Sequence, residues 1–275
     1  MLEPVLEVTD LTKRFEHKGR SSVVAVDGVS FCVRADECVG LVGGSGSGKS
    51  TIAQMVTRLV EPTSGKIVLC GRDVSHVRGA GLRAMAKDVQ MVFQNPASSF
   101  DPRRTLGEGV AESLRNMGMD KPAAYARARE LMEQCGLSAN MADCYPREVS
   151  GGQCQRAAIA RALAPDAPLV VCDEPTSALD VTTQAQIVRL LKRIQCERGL
   201  AMLFICHDLA LVQGFCDRVL VMQNGRIVEE GLASEVLACP SHPTRACCSK
   251  ARAWRKKLTS DLSPCQLSRI AITSW

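Results

Sequence analysis

The residues Gly43-Gly-Ser-Gly-Ser-Gly-Lys-Ser50 can hold a phosphate chain. Glycine has no Cβ, so a run such as Gly43, Gly44, Ser45, Gly46, Ser47, Gly48 lets backbone N–H groups turn inward around phosphate oxygens. Lys49 then brings an ammonium to the β- and γ-phosphates of a nucleoside triphosphate, and the Ser50 hydroxyl can ligate Mg2+. The spacing is GxxxxGK[ST], and it carries weight only between a strand and a helix. Taken without that context, the same letters are a Gly/Ser-rich turn. A second pair, Asp173-Glu174, closes the run Leu169-Val-Val-Cys172. On its own it is as easily a charge pair opening a helix. Downstream of a phosphate loop it reads as chemistry: Asp173 holds Mg2+ through its water shell, and Glu174 acts as general base on the attacking water.

These residues need elements to position them. Cys38–Val42, Lys66–Cys70, Val89–Phe93, Pro168–Cys172 and Met202–Cys206 are short, nearly continuous apolar runs. Such runs suit strands buried on both faces of an α/β sheet. Ile52, Met55, Val56 and Leu59 follow helical spacing behind the phosphate loop, with the helix beginning near Thr51, whose N-terminus adds partial positive charge. Ile187, Leu190, Leu191 and Ile194 mark a second helix. Asn224-Gly225 supplies the positive φ angles of a hairpin turn within 219–230, and Val5–Val8 can join an antiparallel part. From about Pro96 to Ala164 no convincing strand occurs, and the composition reads as a helical insertion.

Val149-Ser-Gly-Gly-Gln153 lies between the phosphate loop and Asp173-Glu174, followed by a helix over about 154–163. In that order the chain resembles the ATP-binding-cassette (ABC) ATPases from about Leu6 to Gly231. Gln94 falls where that family has its Q-loop, Ser177-Ala-Leu-Asp180 resembles the D-loop, and His207 resembles the switch histidine. Phe15 lies where an aromatic side chain stacks on adenine. Alone, His207 and Gln94 would be surface polar residues and Phe15 a core aromatic. Val89–Arg103, Tyr145–Gln153, Asp173–Gln186 and Ser241-His-Pro-Thr-Arg245 are more closely similar to the importer ATPases for dipeptides, oligopeptides and nickel. Val149 departs mildly from the signature's usual Leu, Cys154 stands where a basic or polar residue is common, and Gly44 replaces a frequent acidic residue without altering the cradle.

The resemblance implies an α/β fold: a P-loop NTPase core, with a mixed, largely parallel sheet and an antiparallel β part, plus a helical subdomain. The expected boundaries are 1–95 and 166–231 for the core, 96–165 for the helical subdomain and 232–275 for an extension. It implies ATP hydrolysis coupled to import of a small peptide, nickel or a nickel chelate. ATP and Mg2+ are the expected ligands, with Ser50, Gln94 and Asp173 at the metal. Residues 43–51 and Phe15 would bind the nucleotide. Ser150, Gly151, Gly152, Gln153 and Asp180 would complete the site of an opposed copy, and Lys49, Gln94, Glu174 and His207 would serve hydrolysis. The implied partners are two permease-type membrane subunits, a second ABC ATPase (this chain or a paralogue) and, indirectly, an extracytoplasmic solute-binding protein. Alternatives are motors for another solute and soluble ABC ATPases outside transport. The latter usually have two cassettes or long coiled-coil insertions, and this chain has neither.

Composition agrees with a globular chain. Of 275 residues, 46% are hydrophobic and 23% charged, with a net charge of +5. No apolar run approaches the ~18 residues of a membrane-spanning helix, and the N-terminus has no secretion-signal pattern. The chain is expected at the cytoplasmic face of the cell membrane, attached through partners. Basic residues are not interleaved with aromatics, so no nucleic-acid partner is expected. The basic group Lys250, Arg252, Arg255, Lys256 and Lys257 reads as a solvated tail. Fourteen cysteines form no CxxC pair and read as reduced core thiols, with Cys38, Cys70, Cys172 and Cys206 inside strand-like runs. The group Cys239, Cys247, Cys248 and Cys265 matches no metal framework.

Overall fold

The computed structural model describes residues 3–16 and 22–238. The basic tail, the four C-terminal cysteines and Ser241–Arg245 lie outside the described residues. In chain order, β1 (Pro4–Phe15), β2 (Val23–Arg34) and β3 (Cys38–Gly43) lead to α1 (Lys49–Val56). β4 (Ser64–Leu69), β5 (Arg72–Asp73), α2 (Ala80–Met85) and β6 (Val89–Val92) follow, then α3 (Leu106–Asn116), α4 (Lys121–Gln134) and α5 (Gly151–Leu163). The chain continues through β7 (Leu169–Asp173), α6 (Val181–Arg198), β8 (Ala201–Ile205), α7 (Leu209–Phe215), β9 (Arg218–Gln223), β10 (Arg226–Leu232) and α8 (Ala233–Ala238).

The strands form a six-stranded sheet, β10-β9-β3-β8-β7-β6, and a four-stranded antiparallel sheet, β2-β1-β4-β5. In the larger sheet only β10 runs antiparallel. Every residue of β7 and β8 is buried, and their side chains alternate between two cores with the period of a strand. Val170, Cys172, Met202 and Phe204 face the helical layer. Leu169, Val171, Leu203 and Ile205 face α1 and the small sheet. Continuous hydrophobicity is what a sheet covered on both faces requires. The parallel register sets Leu41 beside Ile205, Ile205 beside Asp173, and Cys172 beside Val92. The loops after β3, β6, β7 and β8 therefore leave from one edge of the sheet. In open α/β sheets that carboxyl edge is where ligands bind.

Between β6 and β7 the chain is helical. Thr105 with Glu108 and Ser150 with Gln153 form capping boxes, and Asp120 caps α4. Each supplies acceptors to helix N–H groups that would otherwise lack partners.

Three expectations are corrected. The run Lys66–Cys70 belongs to the small antiparallel sheet, and only its inward side chains Ile67 and Leu69 are fully buried. Cys70 is exposed, at a turn with φ 49°. Leu59 is 59% exposed because α1 stops at Val56 and Arg58 takes a left-handed φ of 57°. Strand β2 gave no clear signal: Asp27-Gly28 interrupts it with a bulge opposite β1, where Gly28 adopts φ 62°. Among the described cysteines none is disulfide-bonded, and no group of three metal-ligating side chains forms.

Candidate active site

The loop between β3 and α1 is built around glycine. Gly46 and Gly48 have φ of 74° and 104°, which side chains with a Cβ rarely adopt. A Cβ on Gly43 would lie 2.2 Å from the Met222 carbonyl oxygen, and one on Gly48 2.2 Å from that of Ala25. Neighbouring backbone thus presses on the loop from β9 and β2. The hairpin turn joins in: Gly225 N–H donates to Ser47 O at 3.1 Å, and Asp27 N–H to Gly225 O at 2.8 Å. Gly44, by contrast, has open space where its Cβ would stand. Lys49 is buried and donates to the carbonyls of Gly43 (2.9 Å) and Gly44 (2.8 Å). Burial lowers its pKa, opposed by the negative charges of Glu174 and Asp173.

Ser50 Oγ donates to Asp173 Oδ1 at 3.0 Å. Burial raises the Asp173 pKa, with the Ser50 hydrogen bond acting against it. One residue on, Glu174 takes a left-handed φ of 44°, and its N–H donates to Ile205 O at 3.0 Å. This turn presents its carboxylate to two elements far away in sequence. Gln94 Nε2 donates to Oε2 at 3.0 Å, and His207 Nδ1 stands 3.5 Å from Oε1. A non-glycine residue in that region carries strain of ~1–3 kcal/mol, of the kind that collects at functional sites.

Ser150 and Gln153 lie elsewhere. Ser150 Oγ accepts from Gln153 N–H at 3.3 Å, and Gln153 Oε1 from Ser150 N–H at 2.8 Å. A Cβ on Gly152 would meet Thr183 Cγ2 at 2.6 Å, and one on Gly151 would touch Leu179. Asp180 caps α6, accepting from Thr182 N–H, Thr183 N–H and the Thr183 hydroxyl. Among the described residues, the hydrogen bonds of Ser150–Gln153 do not reach 43–51.

Residues 26–177 match the family described as ABC transporter. The oligopeptide transport ATP-binding protein OppF of Escherichia coli is 45% identical over 253 residues, 88% of this chain and 76% of that protein. OppF of Salmonella typhimurium is 44% identical over 249 residues, 87% and 75%. The chain belongs to the ABC transporter family of ATPases. Its solved relatives include a dimeric ATP-binding cassette in a post-hydrolysis state bound to ADP and Pi. That cassette is 29% identical, with TM-score 0.76, covering 83% of this chain and 98% of that one. Another is cbiO1 from Clostridium perfringens, 27% identical, with TM-score 0.75 and coverage of 86% and 91%.

The cassette's remaining expected residues fall into two groups. Phe15, half-buried at the end of β1, pairs with Val23, two residues from the Ala25 carbonyl against Gly48. The Lys13 ammonium lies 5.1 Å from its ring centroid. Thr51 stands in the first turn of α1. Mg2+ suits the donors at the sheet edge: the Ser50 hydroxyl and Asp173 carboxylate are hard oxygens already in contact, and Gln94 retains its amide oxygen as a third.

Sequence reasoning overlooked two features of the cassette. One is the support of the P-loop by the Asn224-Gly225 turn, whose turn chemistry was legible but whose neighbour was not. The other is Arg161 on α5. Its guanidinium donates to Ser99 O and Ser99 Oγ, and no local spacing signals that pairing.

Proposed function

We propose that this ATPase is the motor of a membrane importer whose cargo is a small peptide. The observation that carries the hydrolytic reading is the Glu174 carboxylate, held between Gln94 and His207 beside the P-loop. ATP would lie along residues 43–51, its phosphates against Lys49 and the start of α1, with Phe15 stacked on adenine. Mg2+ on Ser50, Asp173 and Gln94 would neutralise phosphate charge. Glu174 would accept the proton of the attacking water, Gln94 would orient that carboxylate, and His207 would contact the transferred phosphoryl group.

A second copy or a paralogue, docked head to tail, would add Ser150, Gly151, Gly152 and Gln153 to the phosphate, with Asp180 at the seam. A capped helix start such as that of α5 suits an anion. The ATP-bound cassettes close on a phosphate that both faces contact, and hydrolysis releases them. A groove of about 660 Å3 between the core and the helical layer is lined by Leu59, Leu82, Gln94, Ser98 and Arg161 among others. It would receive the permease subunits and connect their motion to Gln94. No helix among the described residues is long and apolar enough to cross a membrane, so attachment at the cytoplasmic face would be peripheral. The names of the OppF relatives favour a peptide over the nickel cargo that the sequence resemblance also covers.

Purification from native membranes in mild detergent tests this. The expected result is co-purification with two permease-like chains and a second ATPase, with a solute-binding protein whose ligand is a peptide. Recovery only from the soluble fraction, with ribosomes, DNA or no partner, would overturn the transport reading.

A further inference from the structure

The turn that follows Gln94 is tied up at its far end. Ser98 Oγ donates to Asn95 O at 3.0 Å, Ser99 N–H to Pro96 O at 3.1 Å, and Ser99 Oγ to Pro96 O at 2.7 Å. Residues 95–99 thus form a closed unit with Gln94 leading into it. Arg161, three turns along the helix that Ser150 caps, grips the end of this unit. Nη1 donates to Ser99 O at 2.5 Å and Nη2 to Ser99 Oγ at 2.8 Å. The guanidinium also lies 4.4 Å from the Phe100 ring centroid. The Phe100 ring is seated on α3 where a side chain would block it: a Cβ on Gly109 would stand 2.6 Å from Phe100 Cδ1. Burial lowers the Arg161 pKa, opposed by Cys154 and Glu112. A planar fork that bonds twice and stacks once fixes direction as well as distance, which a lysine cannot do.

We infer that Arg161 is a positioning residue for hydrolysis, aligning Gln94 on Glu174 by holding Ser99 and Phe100 to the helix whose N-terminus is Ser150. The inference rests on the reading of Gln94 and Glu174 given above. Through this contact, a tilt of α5 is transmitted to the amide that orients the general base. The helix that would cap a partner's ATP and the carboxylate that acts on this chain's own ATP thereby share one connection.

The test is steady-state ATP hydrolysis by the purified full chain. R161K should lower kcat about tenfold while KM for ATP stays within about twofold, because misorienting a reacting group acts on rate rather than on phosphate binding. Q94A should lower kcat at least as much, and R161K should add nothing in the Q94A background, as expected when two residues act through one path. Additive losses in the double variant, or wild-type kcat in R161K, would overturn the inference and leave the roles of Gln94 and Glu174 standing. Wild-type kcat in Q94A would overturn those roles and the inference together. S99A removes one of the two acceptors without touching α5. It should lower kcat about threefold, again without effect in the Q94A background, and keeps the test decisive if R161K does not fold.

Discussion

The P-loop edge and the signature turn are both rich in glycine and polar groups, yet they are built on opposite terms. At the P-loop edge, Lys49 and Asp173 are charged groups held out of water, and burial is the largest influence on each. Glu174 sits on a strained backbone, and Gly43 and Gly48 are pressed by backbone carbonyls. At the signature turn no residue takes a left-handed φ, and the close neighbour of Gly152 is the methyl of a side chain, Thr183, rather than a backbone carbonyl. Ser150 and Gln153 satisfy each other, and Asp180 is fully engaged in capping α6. A region that must act on a ligand keeps its groups poorly solvated and pre-aimed. A region that must offer a helix start to a partner can be at rest until the partner arrives. On these terms, substitutions at the P-loop edge should cost function or relieve stress, and substitutions at the signature turn should cost the isolated chain no stability beyond a lost cap.

The largest effect should come from Glu174→Gln. The amide keeps the shape of the carboxylate and cannot take a proton. Loss of a positioned general base lowers kcat by about 10²–10⁴-fold. ATP binding should persist, and closed ATP-bound pairs should accumulate, visible as an ATP-dependent dimer on size exclusion. Undiminished hydrolysis would remove Glu174 from the chemistry.

Next in size is a contrast inside the P-loop itself. Gly43→Ala drives a Cβ to 2.2 Å from the Met222 carbonyl oxygen and 2.8 Å from Ser47 Oγ. Backbone cannot yield cheaply there, and overpacking of this kind costs about 1–3 kcal/mol. Gly44→Ala meets open space and should fall within about 0.5 kcal/mol of wild type. Urea midpoints for the two variants measure the difference. Equal midpoints would mean that the loop is not wedged between β9 and the helix start.

That contrast also marks where the sequence stops being informative. GxxxxGK[ST] identifies a phosphate loop, but not which glycine is sterically obligatory, because the answer lies in Met222 and Ala25, far away along the chain. The central strands were legible because burial on both faces leaves a continuous apolar run. Val23–Arg34 was not, since its inward residues are broken by Asp27-Gly28 at a bulge. Leu59 fitted a helical face on spacing alone, and only the left-handed Arg58 ends the helix before it. Glu174, Gln94 and His207 were each legible by position behind a strand. Their meeting depends on sheet register, with Gln94 and Glu174 80 residues apart. Arg161 and Ser99, 62 residues apart, had no pattern to announce them.

The smallest effects should separate the two regions by sign. Burial lifts the Asp173 carboxyl above the usual range. The native state therefore holds that proton more tightly than the unfolded chain does, and stability from this group falls as pH rises through the interval between the two pKa values. Asp180 is the reverse: the Thr183 hydroxyl and N–H hold its pKa below the ordinary value. Its contribution is complete above the unfolded pKa and is lost as pH falls through the folded one. At pH 7, Asp173→Asn should raise the melting temperature even as it disables the site, and that gain should shrink as pH is lowered toward about 4. Asp180→Asn should lower the melting temperature at pH 7, because a neutral cap loses the attraction between carboxylate and helix start. Two Asp→Asn changes of the same sign would show that burial at the sheet edge carries no net stress. The strain on Glu174 would then be a local feature of one turn rather than a property of the whole site.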